Sequence, residues 1–324
     1  MIYNKEKCLA SNTQNELAGL KMLDVIDEES FKPVELMNEL LFKIIRDNEN
    51  SEYGKKYHFA DIKTVKDFQR NVPIVTHNDI KPYIDRMVEG EENVLTSYSV
   101  KHFNVTSATS GKEKYVPMSE KQQVVYLKYN FANANGVLGR YIDPKWKNGR
   151  AMNTSEGHCI TLPSGLTAGG ASAKVVEFLK KGNVDPNEIL TINYTTPLEA
   201  MISSNGVDRA YVILRFSLID KEMTGIITPF MSQLVHIMTY LAKNYKVLVD
   251  DIENGTVCKD FCEDDAKKRI QPYLKKNPER ANELREIFKE SFNIIGQGKI
   301  DEILSTNCST KLSSPSTIKQ NILL

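Results

Sequence analysis

Cysteine is scarce in this chain. Five occur in 324 residues (Cys8, Cys159, Cys258, Cys262, Cys308), odd in number and scattered. That excludes a disulfide scaffold and favours a reducing, cytoplasmic setting. Long apolar runs are lacking too: none approaches the ~18 residues that a membrane-spanning helix needs. Met1 to Lys7 lacks the basic-then-apolar order of a secretory signal. There is no excess of either charge, with 42 basic and 42 acidic residues, so neither nucleic acid nor a membrane surface is favoured as a partner. Hydrophobic residues at 41% and charged residues at 26% can supply a sizeable core for one large domain or two modest ones.

Residues 1–32 are polar and weakly patterned, which suggests a flexible lead-in or a short helical arm. Val34, Met37, Leu40, Leu41, Ile44 and Ile45 then form one stripe at helical spacing, ended by Asn48-Glu49-Asn50. Residues 53–75 read as loops and short elements, and Ile80 to Val88 as a short helix. His102 to Val105 reads as a strand running into a Thr/Ser-rich loop, and Tyr115 to Met118 as a strand leaving it. Ser119 with Gln122 makes a capping box for a helix whose buried face is Val124, Leu127, Phe131, Ala134 and Leu138.

Further along, His158 to Pro163 reads as a buried strand and Ala171 to Lys181 as a helix closed by Gly182. Ile189 to Tyr194 reads as another strand, and Thr196-Pro197-Leu198-Glu199 starts a helix. Apolar steps of three or four from Phe230 through Leu234, Ile237, Leu241, Tyr245 and Leu248 to Ile252 mark a long helix ending at Gly255. Asn277-Pro278 opens another, with Ala281, Leu284, Phe288 and Phe292 inside. Strands alternating with helices predict an α/β fold. Ser305 to Leu324 is rich in Ser and Thr without periodicity and reads as a poorly ordered tail.

The loop Thr106-Ser107-Ala108-Thr109-Ser110-Gly111-Lys112-Glu113-Lys114 carries the chemistry. Phosphate oxygens need many short donors in a small space. The hydroxyls of Thr106, Ser107, Thr109 and Ser110 can supply them, Gly111 lets the backbone come close, and Lys112 or Lys114 adds a full charge. The standard nucleotide P-loop needs Gly, four residues, then Gly-Lys-Ser/Thr. Here Glu113 follows Lys112 and Thr106 stands five before Gly111, so that pattern fails. The observed order resembles instead the first signature of adenylate-forming enzymes, with Lys114 in its final position.

The flanks narrow the resemblance. Glu52-Tyr53-Gly54-Lys55, Val72 to Thr76, Asp79 to Arg86, Gly90-Glu91, Leu162 to Gly165, Tyr194 to Pro197 and Asp250 to Gly255 occur in the order that resembles the auxin-responsive promoter family of acyl acid–amino acid amido synthetases. The likeness covers roughly residues 35–295. It implies a partial N-terminal domain of an adenylate-forming enzyme, a mixed sheet with flanking helices, over residues 33–295. Residues 1–32 would then be an arm and 296–324 a divergent tail. It also implies ATP and Mg2+ as co-substrate and counter-ion, the metal being shared with phosphate oxygens. A small carboxylic acid would be activated as an acyl-adenylate and passed to an amino acid amine. Thr106, Ser107, Thr109, Ser110, Gly111 and Lys114 would hold the nucleotide phosphates.

The chain departs from the family's pattern in two ways. Ala108 stands where the family usually has Gly, and neither the adenine-side motif (Tyr, small residues, Ser/Thr, Glu) nor the ribose-side motif (Tyr-Arg-x-Gly-Asp) occurs in these residues. Asn153-Thr154-Ser155-Glu156-Gly157 imitates the first but lies too early and reads as a turn. A truncated member is expected, and three readings stay open. It is an active synthetase completed by a separate C-terminal polypeptide, an inactive fragment, or an interaction protein that reuses the fold.

Other constellations are weaker. Cys258 and Cys262 sit four apart without a nearby histidine, which favours ordinary cytosolic thiols over zinc. None of His58, His77, His102, His158 and His236 has ligand spacing; His102 and His158 fall on predicted strands near the loop, and His236 reads as a packing or boundary residue. Asp250-Asp251 reads as helix-end chemistry, and Trp146 as a loop anchor.

Overall fold

Capping side chains start the helices that place the sheet. In the computed structural model, residues 4–106, 113–170, 185–203, 206–261 and 263–294 are described. The expected helix Ala171–Lys181 and the tail Ser305–Leu324 lie outside them, as do the side chains of Leu127, Phe131 and Phe292. Asn4 accepts from the Lys7 N–H at 2.9 Å and opens α1 (Lys5–Glu29). Pro33 opens α2 (Pro33–Asp47). Ser51 caps α3 (Glu52–Lys56), and capping boxes open α4 (Val65–Asn71) and α5 (His77–Val88). The sequence-based start at Ile80 is three residues late because the box of Thr76 and Asp79 precedes the apolar residues.

The N-terminal segment is thus a helix of 25 residues. Its buried positions are Cys8, Asn12, Glu16, Gly19, Met22 and Leu23. Their spacing is helical, yet the residues are mostly small or polar, so hydropathy shows little pattern. The stripe packs on α6 (Glu120–Tyr141) at close range: a Cβ on Gly136 would stand 2.4 Å from the Gly19 carbonyl oxygen. Arg140 of α6 reaches back to Asp24 and Asp27 at 2.9 and 2.7 Å. On α6, the expected core positions Val124 and Ala134 are exposed, because the face turned to α1 is the glycine face.

The α2 stripe is divided. Ile45 is buried, and Leu41 and Phe42 pack with it on Phe59 and Ile62. Val34, Met37, Leu40 and Ile44 are exposed. The apolar arc of this helix is wider than the surface that covers it.

Two sheets follow. The first is mixed, in the order β2 (Lys114–Ser119), β1 (Val100–Thr106), β5 (Thr167–Gly169), β4 (Cys159–Thr161). β1 runs antiparallel to β2 and parallel to β5, and β4 runs antiparallel to β5. The expected buried strand at His158–Pro163 is the short β4 at the sheet edge, and its Ile160 is exposed. Phe103, Val100 and Ala168 pack on Ile84 and Met87 of α5.

The second sheet pairs β3 (Ala151–Asn153) in parallel with β6 (Gly225–Ile227). Tyr194 bridges to Ala151 on the opposite edge. The expected strand Ile189–Tyr194 is instead helix α7 (Pro186–Asn193). Asp185 accepts from the Asn187 N–H at 2.9 Å and Pro186 holds the first helical φ. A six-residue run rich in β-branched residues does not distinguish buried helix from strand, and this cap decides it.

The main core lies among α9 (Gly206–Ser217), α10 (Met231–Asn254), α11 (Asp264–Ile270) and α12 (Pro278–Ile294), reached from α7 through the short α8 (Leu198–Ile202). Tyr211, Ile213, Leu248, Ile252, Ile270 and Ala281 are almost wholly enclosed. α10 ends as expected, with Gly255 at φ +68° donating to the Asp251 carbonyl.

Three tyrosines of this region stay protonated above their ordinary range. Burial pushes Tyr211 and Tyr240 up, and the hydrogen bond to Asp185 pushes Tyr273 up to about 12. Unfolded tyrosines ionise near 10. Above that pH the unfolded chain has released protons that the folded chain still holds, so stability falls as pH rises, by about 1.4 kcal/mol per pH unit for Tyr211 alone. Alkaline unfolding is therefore expected to set in just above pH 10. In a pH titration, tyrosinate absorbance should rise together with loss of helical circular dichroism. A full tyrosine titration near pH 10 with the helix signal unchanged would contradict it.

Candidate functional site

β1 and β2 form the jaws of the Thr/Ser-rich loop. Their ladder runs from Val100 opposite Ser119 to Thr106 opposite Lys114. Phe103 is fully buried and its ring meets the Tyr115 ring edge-on at 5.9 Å, which anchors the ladder to the core. Ser119 closes β2 and caps α6, exchanging hydrogen bonds with Gln122 at 3.0 and 3.2 Å. The two ends of the loop are thus fixed: the exposed Thr106 and the half-buried Lys114 are registered backbone neighbours at the ends of β1 and β2. Ser107, Thr109, Ser110 and Gly111 lie outside the described residues, as does Ala108. A threonine and a lysine at paired positions on the loop's two ends are residue types that suit a phosphate-bearing ligand.

The histidines near the loop do not join it. His102 is buried, its Nδ1 2.8 Å from the Thr167 hydroxyl across β1 and β5, where it ties two strands together. His158 is exposed just before β4. Cys258 donates its backbone N–H to the Tyr211 hydroxyl oxygen at 2.8 Å, and Cys262 lies outside the described residues. Among the described residues no group of three or more His, Cys, Asp or Glu could hold a metal ion.

A second feature emerges only from the tertiary structure. A cavity of about 290 Å³ is lined by Thr154, Arg209, Ser232, Gln233, His236 and Ile237. It opens where β3 and β6 end, since Thr154 follows Asn153 and Ser232 opens α10 shortly after Ile227. The carboxyl ends of parallel strands are where open α/β sheets bind ligands. Arg209 is largely buried in α9, and burial pulls its pKa below the usual guanidinium range while Glu156 opposes this. Its Nη2 donates to the Thr154 carbonyl at 2.7 Å, and Nη1 stands 3.4 Å from the Glu156 carboxylate. The Thr154 hydroxyl lies 3.3 Å from both the Ile227 carbonyl and Gln233 Oε1. A guanidinium, hydroxyls and the apolar Ile237 together suit a small organic acid.

The turn expected at residues 153–157 is instead the end of β3 at Asn153 followed by an irregular segment, in which the Ser155 N–H donates to Asn153 Oδ1 at 2.9 Å. These residues also build the rim of the cavity. His236, read as a packing or boundary residue, is exposed on that rim. The available signal for the cavity was Arg209 immediately before the apolar run Ala210–Leu214, since a buried cation requires partners.

The solved GH3.15 acyl acid amido synthetase has this fold, with a TM-score of 0.67 at 19% identity over 89% of this chain and 48% of that one. Residues 22–297 match the GH3 family N-terminal domain, and the chain belongs to that family. Indole-3-acetic acid-amido synthetase GH3.2 of Arabidopsis thaliana is 27% identical over 282 residues, covering 83% of this chain and 49% of that protein. Jasmonoyl–L-amino acid synthetase GH3.5 of Oryza sativa subsp. japonica is 24% identical over 260 residues, covering 77% and 43%. The chain spans about half the length of the curated relatives it matches. No helix among the described residues is long and apolar enough to cross a membrane.

Proposed function

We propose that this chain is the phosphate- and acid-binding half of an ATP-dependent acyl acid–amino acid ligase acting in the cytoplasm. The observation that carries the reading is the fixed pair Thr106–Lys114 at the mouth of the signature loop, inside the matched residues 22–297. The names of the relatives support acid and amino acid as the substrate classes. In this reading Thr106, Ser107, Thr109, Ser110, Gly111 and Lys114 hold the nucleotide phosphates, with Mg2+ shared among phosphate oxygens. Arg209 orients the carboxylate of the acid in the cavity beyond β3 and β6. The reacting groups supply the covalent chemistry, and the protein contributes position and charge neutralisation. A separate C-terminal polypeptide would provide the contacts to adenine and ribose. Residues 33–295 then act as one incomplete domain.

Isotope exchange between pyrophosphate and ATP, run with a panel of carboxylic acids, tests this with and without the C-terminal half of a relative. Acid-dependent exchange is expected in the completed enzyme. Lys114→Ala should reduce it about 100-fold, the usual loss when a transition-state donor is removed. Arg209→Gln should raise the half-saturating acid concentration at least ~10-fold and leave ATP-analogue binding unchanged. Absence of exchange in every combination would sink the enzyme reading.

A second reading is an inactive fragment with only a phosphate site. Saturable ATP-analogue binding without exchange would select it.

A further inference from the structure

The first half of α1 packs without an apolar stripe. From Lys5 to Lys21 its buried positions are Cys8, Asn12, Glu16 and Gly19, while Leu9 and Leu17 are exposed. Burial of apolar area therefore does not fix where this stretch sits; its polar groups do. A buried polar group costs free energy unless it is paired, so one that is fully paired selects a single register for the helix that carries it.

Asn12 is that group. It is buried, with 7% of its surface exposed. Its Nδ2 donates to the Lys147 carbonyl at 3.0 Å and to the Gly149 carbonyl at 3.2 Å. Its Oδ1 accepts from Asn193 Nδ2 at 2.6 Å. Donors and acceptor of the amide are thus all in use. The Ser11 hydroxyl adds a hydrogen bond to Asn193 Oδ1 at 2.9 Å, and Glu16 holds the Lys147 ammonium at 2.6 Å.

The two segments that Asn12 joins are the flanks of β3. Residues 147–149 lead into the strand. Asn193 ends α7, and the residues after it run along the edge of β3 opposite β6. There the Thr195 N–H donates to the Ala151 carbonyl at 3.0 Å, and the Asn153 N–H donates to the Thr196 hydroxyl at 3.0 Å. β3 delivers Thr154 to the cavity, where the Thr154 carbonyl receives the buried Arg209. The frame of β3 thereby sets where the guanidinium stands.

We propose that Asn12 is a positioning residue for the cavity: from α1 it fixes both flanks of β3, and through them the placement of Thr154 against Arg209. Asn12 precedes the matched residues 22–297, so the role is not carried over from the family. A carboxylic acid as the ligand rests on the function proposed above; the framing of β3 rests on the contacts of Asn12 alone.

The test uses the full 324-residue chain and two variants. Asn12→Asp keeps the shape but turns the donor end into a carboxylate oxygen facing two carbonyls. Asn12→Leu removes the polar group. In both, the amides of Asn153, Thr154 and Thr195 are expected to exchange at least ~10-fold faster, with those of Leu248 and Ile252 in the core of α10 unchanged. Calorimetric titration with indole-3-acetate and with jasmonate, the acids in the relatives' names, should give a Kd raised about 10-fold, the equivalent of one unpaired buried hydrogen-bonding group. The Kd for a non-hydrolysable ATP analogue should stay the same. Leu17→Ala, on the exposed side of α1, should change none of these. The inference is overturned if Asn153, Thr154 and Thr195 keep their protection in both variants. It is also overturned if the α10 amides accelerate equally, or if affinity for acid and for the ATP analogue falls together, since Asn12 would then support the fold as a whole. If the unaltered chain binds neither acid, the proposed acid site fails, and the exchange pattern alone decides whether Asn12 frames β3.

Discussion

Replacing Tyr211 with alanine is expected to lower the free energy of unfolding by about 4 kcal/mol, the usual cost of removing an enclosed aromatic ring. Tyr211 is fully buried and stacks on Phe261 with ring centroids 5.4 Å apart. Its hydroxyl donates to Asp251 Oδ2 and accepts the Cys258 N–H at 2.8 Å. Asp251 also accepts the Thr256 hydroxyl, and its carbonyl receives Arg215 Nη2 at 2.8 Å. One tyrosine thus ties α9 to the end of α10 and to the segment beyond Gly255.

Tyr211→Phe separates the polar part from the packing part. It keeps the ring and leaves a buried carboxylate oxygen and a backbone N–H short of a partner, at about 2 kcal/mol. It should also make stability fall less steeply with pH above 10, since one high-pKa tyrosine is removed. Urea unfolding at constant m-value measures both variants. A loss under about 0.5 kcal/mol for Tyr211→Phe would show that the hydroxyl network adds little.

Gly149→Ala is expected to cost about 3 kcal/mol, the upper range for overpacking a rigid site. A Cβ there would stand 1.6 Å from the Glu222 carbonyl oxygen and 2.8 Å from the Thr224 methyl carbon. Glu222 cannot yield cheaply. Its N–H donates to Asp220 Oδ1 at 2.8 Å, and Asp220 is held by Arg150 in a buried pair at 2.7 Å. The Gly149 carbonyl also receives Asn12 Nδ2 at 3.2 Å, so α1 would be disturbed as well. Relief of the clash would separate the starts of β3 and β6, the two strands that frame the cavity. Gly165→Ala is the control: its φ of +82° disfavours alanine but open space surrounds it, so about 1 kcal/mol is expected. Equal unfolding midpoints for the two variants would contradict the close approach at Gly149.

Elements set by neighbouring residues were legible in advance. The Ser119–Gln122 box starts α6, and the three-and-four steps with Gly255 delimit α10, because capping and amphipathic spacing act within a few residues. The Thr/Ser-rich loop could be singled out from sequence for the same reason, since phosphate chemistry needs its donors side by side in the chain; residues 107–112 lie outside the described residues. α7 was misread because a short apolar run fits helix and strand alike until Asp185 and Pro186 decide. The choice between a flexible lead-in and a helical arm stayed open for α1 because its packing stripe is small and polar, a surface complementary to Gly136 that hydropathy does not register.

The sequence by itself thus determined the family and several helix boundaries, consequences of motifs and local spacing, and it proposed the phosphate loop. Tertiary structure alone decided that Thr106 and Lys114 stand in register, that His102 belongs to the core, and that Thr154, Arg209 and Gln233 share one cavity. Those relations join residues tens of positions apart, and only strand pairing and the packing of α9 against α10 bring them together.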